Sequence, residues 1–155
     1  MRQNIFNTDF QDFIRELNVC EVAYILVGGY SVILHGYFRT TGDMNIWVQP
    51  TVENYKRLQN AFSRFGMSVF DMNIERFLAA EHYDVFTFGR PPVSIDILTQ
   101  MKGGEFEAAF ERAEWFEINE SLSVRSLRLS DLLEAKKSAG RPKDLDDLEH
   151  LDNSG

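Results

Sequence analysis

Two glycines and three oxygen-bearing side chains form a set suited to phosphate chemistry. Gly28-Gly29 follow the apolar run Ala23-Tyr24-Ile25-Leu26-Val27, which reads as a buried strand, and precede Tyr30 to His35, which reads as a short helix ending near Gly36. Glycines at a strand-to-helix turn let the backbone approach an anion, and the unpaired N–H groups that open a helix attract negative charge. Downstream, Asp43-Met44-Asn45-Ile46-Trp47-Val48 reads as a strand whose two-residue period puts Asp43 and Asn45 on one side. In a later run, Val93, Ile95 and Ile97 share one face and Ser94 and Asp96 the other, so a third oxygen donor is also carried on a strand. Carboxylates suit hard divalent cations such as Mg²⁺, which share their coordination with substrate phosphates. Two such ions about 3.5–4 Å apart activate an attacking hydroxyl and stabilise a leaving pyrophosphate. Taken singly, each feature has a structural explanation: a turn glycine, a turn aspartate after Gly42, a charge on a solvent-facing strand. Their succession along one chain is what points to a metal and a nucleotide. Neither GxGxxG nor GxxxxGK[ST] occurs, so neither of those phosphate sites is indicated.

The elements that must position these residues are legible from periodicity and turn chemistry. Thr8 to Val19 reads as an amphipathic helix with a Thr8/Gln11 capping box and Phe10, Phe13, Ile14 and Leu17 inward. After Pro50, Thr51 caps a helix with Tyr55, Leu58, Phe62 and Phe65 on one stripe before Gly66. Met67 to Phe70 reads as a short strand and Ile74 to Ala80 as a short helix. Tyr83 to Phe88 and Val93 to Leu98 form a hairpin about Gly89-Arg90-Pro91-Pro92. A helix over Glu105 to Ala113 leads to Trp115–Ile118 and Ser123–Leu127, a last strand and its approach. Ser130 then caps a helix that Gly140 ends, and Pro142 starts another with Leu145, Leu148 and Leu151 inward.

Composition bounds the function classes. A chain of 155 residues, 44% hydrophobic and 26% charged, suits one globular domain that buries roughly 70% of its unfolded surface. Thirteen Phe imply an aromatic interior. No apolar run approaches the ~20 residues of a membrane span, and Met1-Arg2-Gln3-Asn4 leads into a polar segment without a signal-peptide core. A cytoplasmic protein with no membrane partner is expected. Lone Cys20 reads as a buried reduced thiol. His35, His82 and His150 share no metal spacing and read as structural or surface residues. Trp47 and Trp115 read as core. The net charge of -8 opposes general adhesion to nucleic acid or anionic membrane. From Arg125 to Lys143, however, basic residues outnumber acids, which makes either a phosphate-binding surface or a solvated helix face.

The order of glycine pair, helix, acid-x-acid strand and third acid on a later strand resembles the DNA polymerase β-like nucleotidyltransferase superfamily. Leu26-Val27-Gly28-Gly29-Tyr30-Ser31 with Arg39-Thr40-Thr41-Gly42-Asp43-Met44-Asn45-Ile46 is most similar to its small prokaryotic minimal members, found in toxin-antitoxin or phage-defence modules. Ser130-Asp131-Leu132-Leu133 through Lys136, then Ala139 to Asp144 and Asp147-Leu148, resembles their C-terminal ending, so the likeness runs from about Tyr24 to Leu151. It implies an α/β (α+β) nucleotidyltransferase fold: a mixed sheet flanked by helices, with residues 1–155 as one domain and a helical tail over about 130–151. It further implies two Mg²⁺ ions, a nucleoside triphosphate such as ATP, and transfer of a nucleotidyl group to an acceptor hydroxyl on a protein or tRNA. By resemblance, Asp43, Asn45 and Asp96 occupy the catalytic and metal positions, and Gly28, Gly29, Ser31, Arg39 and Lys136 the nucleotide-binding ones. For Arg39 with Thr40-Thr41, contact to phosphate or base competes with bracing Asp43. For Lys136 and Lys137, reach to a triphosphate competes with solvation. Asn45 departs from the family, which has Asp or Glu there. The amide removes a negative charge from a site that must hold divalent ions, so impaired activity is expected. The alternative is a catalytically degenerate protein that binds a toxin or antitoxin partner.

Overall fold

Residues 6–39, 41–90 and 93–154 are described by a computed structural model. The first helix, α1 (Thr8–Val19), buries Phe10, Phe13, Ile14 and Leu17, as the spacing requires. Its cap differs from the expected one. Asn7, in extended backbone, accepts from the Phe10 N–H at 2.8 Å, while Thr8 is already helical and Gln11 turns back to the Phe6 carbonyl. A short side chain one residue ahead of the helix reaches the free N–H groups better than one inside it.

Next come β1 (Tyr24–Val27), α2 (Gly28–Leu34), β2 (Met44–Val48), α3 (Val52–Phe65) and α4 (Ile74–Leu78). Gly28-Gly29 are therefore the first turn of α2 and not a separate loop before it. Thr51 caps α3 by accepting from the Asn54 N–H, and Gly66 ends it in the left-handed region. Met67 to Phe70 forms no strand. Then follow β3 (Val85–Arg90), β4 (Val93–Leu98), α5 (Phe106–Arg112), β5 (Glu114–Asn119), β6 (Leu122–Ser126), α6 (Leu129–Ala139) and α7 (Pro142–Ser154). β3 and β4 pair antiparallel, as a hairpin requires, while Pro91 and Pro92 of its expected turn lie outside the described residues. The expected single last strand is two: β5 and β6 pair antiparallel across residues 120–121.

Among the described residues the six strands make one mixed sheet in the order β3-β4-β2-β1-β6-β5. β1 pairs antiparallel with β2 and parallel with β6, and β2 pairs parallel with β4. Alternation along the strands separates two apolar layers. Tyr24, Leu26, Met44, Ile46, Ile95 and Ile97 face one way, into a core shared with α1 and α3. Ile25, Val27 and Trp47 face the other, toward α5, α6 and α7. The larger layer is strongly aromatic, with Phe13 edge-on to Phe62 at 5.3 Å and to Phe65 at 5.2 Å. No helix among the described residues is long and apolar enough to cross a membrane.

Several single-residue expectations change with packing. Trp115 lies on the edge strand and is 54% exposed, whereas Trp47 is buried. Cys20 is half-buried. Ser130 lies within α6, whose cap position is Arg128. On α7 Leu145 is 54% exposed, Leu148 is half-buried and only Leu151 is fully buried. The inward positions of the first turns are instead Asp144 and Asp147, both fully buried.

Asn54 ties the α3 layer to the sheet. Its side chain accepts from the Ala23 N–H at 2.7 Å and donates to the Ala23 and Gln49 carbonyls at 3.0 and 2.9 Å, closing the end of the β1–β2 ladder. Asn54→Ala strands those buried backbone groups, so the urea midpoint should fall by the equivalent of about 2–4 kcal/mol with the m-value unchanged. A loss within about 0.5 kcal/mol would show that water replaces the bonds.

Candidate functional site

Val27 ends β1, and the chain turns at once into α2 through Gly28, whose φ of +70° favours glycine. A Cβ at Gly28 would collide with the Asn45 amide nitrogen and lie 3.2 Å from its Cγ. A Cβ at Gly29 would strike the Thr41 hydroxyl and lie 2.7 Å from the Thr41 Cβ. Both glycines are thus required by the approach of the 41–45 segment to the start of α2. Since α2 has seven residues, its dipole is a minor source of potential, and attraction for an anion here must come from the cations described below.

The sheet register brings the oxygen donors together. Asn45 is opposite Val27 on β1 and opposite Asp96 on β4. Asp43 precedes β2 by one residue and shares the side of Asn45. Gly28, Gly29, Arg39, Thr41, Asp43, Asn45, Asp96, Lys136, Arg141 and Lys143 all border a cavity of about 330 Å³. Thr40 lies outside the described residues. Ser31 does not border the cavity: it is fully buried, with its hydroxyl 2.8 Å from that of Ser126. Helical geometry turns it toward β6, two residues beyond the glycines.

One wall of the cavity is acidic. Thr87 on β3 donates to Asp96 Oδ1 at 2.8 Å. Burial pushes the Asp96 carboxyl above its ordinary range, and the neighbouring Asp43 carboxylate adds to the rise against the Thr87 hydrogen bond. The Asn45 Oδ1 atom is buried with no hydrogen-bond partner. An acceptor without a donor beside two repelling carboxylates is an arrangement a cation relieves. No group of three or more His, Cys, Asp and Glu side chains that could hold a metal occurs among the described residues. The donors present are two carboxylates and one amide oxygen. They fit a hard divalent ion whose shell is completed by phosphate oxygens and water, the usual state of Mg²⁺.

The opposite wall is basic, but its charges are partly committed. Arg39 makes a two-pronged contact with Asp147, at 2.7 Å from Nε and 2.8 Å from Nη2. Lys136, only 6% exposed, sits 2.9 Å from Asp147 and 3.2 Å from Asp144. Arg141 donates to Asp144 at 2.7 Å. Burial alone would raise both aspartates; hydrogen bonds from Arg141 and Lys136 to Asp144, and from Arg39 and Lys136 to Asp147, outweigh it and hold both below the usual range. Lys143 is exposed and makes no ion pair among the described residues. Three cations against two buried aspartates leave the cluster at +1, and Lys143 raises this wall to +2. The sequence reading gave Lys136 a role and included Asp144 and Asp147 only in the C-terminal resemblance, with no role at the site. The signal was an i,i+3 pair of acids one residue ahead of the leucines assigned inward.

The basic run from Arg125 to Lys143 does not form one surface. Lys136, Arg141 and Lys143 border this cavity, whereas Arg125 borders another, among aromatic rings. Lys137 is exposed. His35 approaches the Leu127 carbonyl at 2.6 Å, and His150 stacks on Tyr37 at 4.0 Å. No family model matches the chain, and no curated protein matches it.

Two measurements probe this charge arrangement. Asp147→Asn leaves Lys136 and Arg39 short of a buried counter-charge and should cost about 3–5 kcal/mol at pH 7 by chemical denaturation. The depressed aspartates stabilise the fold above the unfolded carboxyl value of about 3.9, and that contribution is lost as pH falls through their lower folded values, so the variant should also show a smaller acid transition. Asp96 has the opposite sign. Its folded value is raised, so stability falls as pH rises from the unfolded value through the folded one. In magnesium-free buffer, Asp43→Asn should therefore raise Tm at pH 7 and leave it nearly unchanged at pH 4. A lower Tm at pH 7 would exclude repulsion between the two carboxylates.

Proposed function

We propose that this chain is a nucleotidyltransferase-fold protein that binds a nucleoside triphosphate with Mg²⁺, and that Asn45 impairs transfer to an acceptor hydroxyl. The observation that carries the proposal is the meeting of close-approach glycines, an acidic wall and a basic wall around one cavity. Asp43, Asn45 Oδ1 and Asp96 would hold the cation. The bound metal supplies charge stabilisation for the transferred phosphorus group and the leaving pyrophosphate. Gly28 and Gly29 let Asn45 and Thr41 close on the start of α2, and Lys143, with the net positive cluster of Arg39, Lys136 and Arg141, attracts the triphosphate.

In the transfer, the acceptor oxygen forms a bond to the α-phosphorus while the bond to the β-phosphate bridging oxygen breaks, releasing pyrophosphate. Thr87 occupies Asp96 Oδ1, which leaves Oδ2 to take the hydroxyl proton. Asn45 keeps the shape of the site and removes one negative charge, which weakens cation binding more than phosphate binding.

A binding-only role is the second reading. It is favoured by the same amide and by the commitment of Lys136 and Arg39 to buried aspartates. Incubation with labelled ATP, CTP, GTP and UTP, Mg²⁺ and protein or tRNA acceptors separates the two. Asn45→Asp should tighten Mg²⁺-dependent nucleotide binding at least about tenfold and raise transfer by about a hundredfold or more. If the restored acid changes neither, the site assignment fails. If it tightens binding without transfer, the binding-only role stands.

A further inference from the structure

A second cavity, of about 510 Å³, lies at the other end of the sheet, where β1 begins and β2 has ended. It shares no lining residue with the first. Arg125 on β6 lines it. The guanidinium carbon lies 4.3 Å from the Phe110 ring centroid, 4.5 Å from that of Trp115 and 5.6 Å from that of Tyr24. The backbone N–H of Arg125 donates to the Tyr24 hydroxyl, but its guanidinium makes no hydrogen bond or ion pair among the described residues. Ring faces attract a cation without satisfying its N–H groups, so the planar fork of donors remains unspent in a half-buried setting. Burial correspondingly lowers the Arg125 pKa from its ordinary value. By contrast, Arg39, Arg112 and Arg141 each direct two donors of that fork at a carboxylate.

The rim of the same cavity is acidic. Glu107 and Glu111 are four apart on α5 and so share a face, and Glu21 on the loop after α1 lines the same cavity. None of the three pairs with Arg125. Glu107 instead accepts from Gln49 at 3.0 Å. Arg57, the other cation of the lining, donates to the Glu21 backbone carbonyl. Three acids against two cations disfavour a polyphosphate or a nucleic-acid backbone, each of which carries only negative charge. A guanidinium fork matches a carboxylate in two parallel hydrogen bonds, while the rim prefers a positive group. Between them the rings of Phe110 and Trp115, the latter 54% exposed, offer an apolar wall. We propose that this cavity binds a peptide segment that gives a carboxylate to Arg125 and a basic side chain to Glu107 and Glu111. The carboxylate is a C terminus or an aspartate or glutamate side chain; both offer the same planar pair of oxygens.

The test uses the whole chain and calorimetric titration, with Trp115 emission as a second signal. The probes are a short lysine-containing peptide with a free C terminus, the same peptide amidated, the amidated peptide with one internal aspartate, and GMP. Saturable binding of the free-acid or aspartate peptide, at least about tenfold tighter than the plain amide, is expected. The tighter of those two identifies the source of the carboxylate. Arg125→Lys keeps the charge but loses the fork and should weaken binding by about tenfold. The exposed pair Glu107→Gln with Glu111→Gln should weaken the basic peptides without disturbing the fold, which keeps the test decisive should Arg125→Lys unfold. Equal binding of acid and amide, absence of saturable binding, or Arg125-dependent binding of GMP in preference to the peptides would overturn the proposal.

Discussion

Asn45 is paired on both sides, with Val27 across an antiparallel ladder and with Asp96 across a parallel one. The candidate site depends on this double pairing. It sets Asp96 beside Asn45 with no loop between them, and it puts Gly28, the residue after Val27, against the Asn45 side chain. The same ladders place Met44, Ile46, Ile95 and Ile97 in the larger apolar layer. A slip of one residue would carry that hydrophobic set to the opposite face and the oxygen donors into the larger apolar layer. The core therefore fixes the register, and the register aligns the polar atoms.

A second constraint comes from the tail. α6 and α7 pack on the smaller apolar layer through Leu132 and Leu151, and they carry a buried ionic cluster to the rim of the cavity. Lys136 lies between Asp144 and Asp147, and Asp147 also holds Arg39 from the loop before β2. Such a cluster adds little net stability over a well-packed apolar one, because desolvating the charges offsets their attraction. Its effect is geometric: it joins the C-terminal helices to Arg39, which precedes β2 and borders the same cavity.

Both cavities contain a polar group whose hydrogen bonding is incomplete among the described residues: Asn45 Oδ1 at one end of the sheet and the Arg125 guanidinium at the other. They differ in sign and in surroundings. Asn45 lies beside carboxylates and calls for a cation. Arg125 lies among rings below an acidic rim and calls for a carboxylate with a positive neighbour. Buried polar groups are normally satisfied; the buried side-chain atoms without a partner among the described residues are Asn45 Oδ1 and the Trp47 indole nitrogen, while Arg125 is only half-buried.

Local physics in the sequence determined most of the elements. Apolar periodicity placed α1, α3 and the strands β1, β2 and β4, and Thr51, Gly66, Gly140 and Pro142 marked helix limits that the backbone adopts. It also placed Asp43 and Asn45 on one side of a strand, because a two-residue period needs no knowledge of neighbours. Tertiary structure alone decided which strand lies beside which, and hence that Asp96, fifty-one residues after Asn45, is its direct partner. It turned Ser31 away from the cavity toward Ser126, and it left Trp115 exposed on an edge. On α7 the leucine spacing and the aspartate spacing have the same period, one residue apart. Lys136 and Arg39 on the facing side, with Arg141 immediately ahead of the helix itself, made the charged stripe the buried one, since a buried carboxylate needs partners.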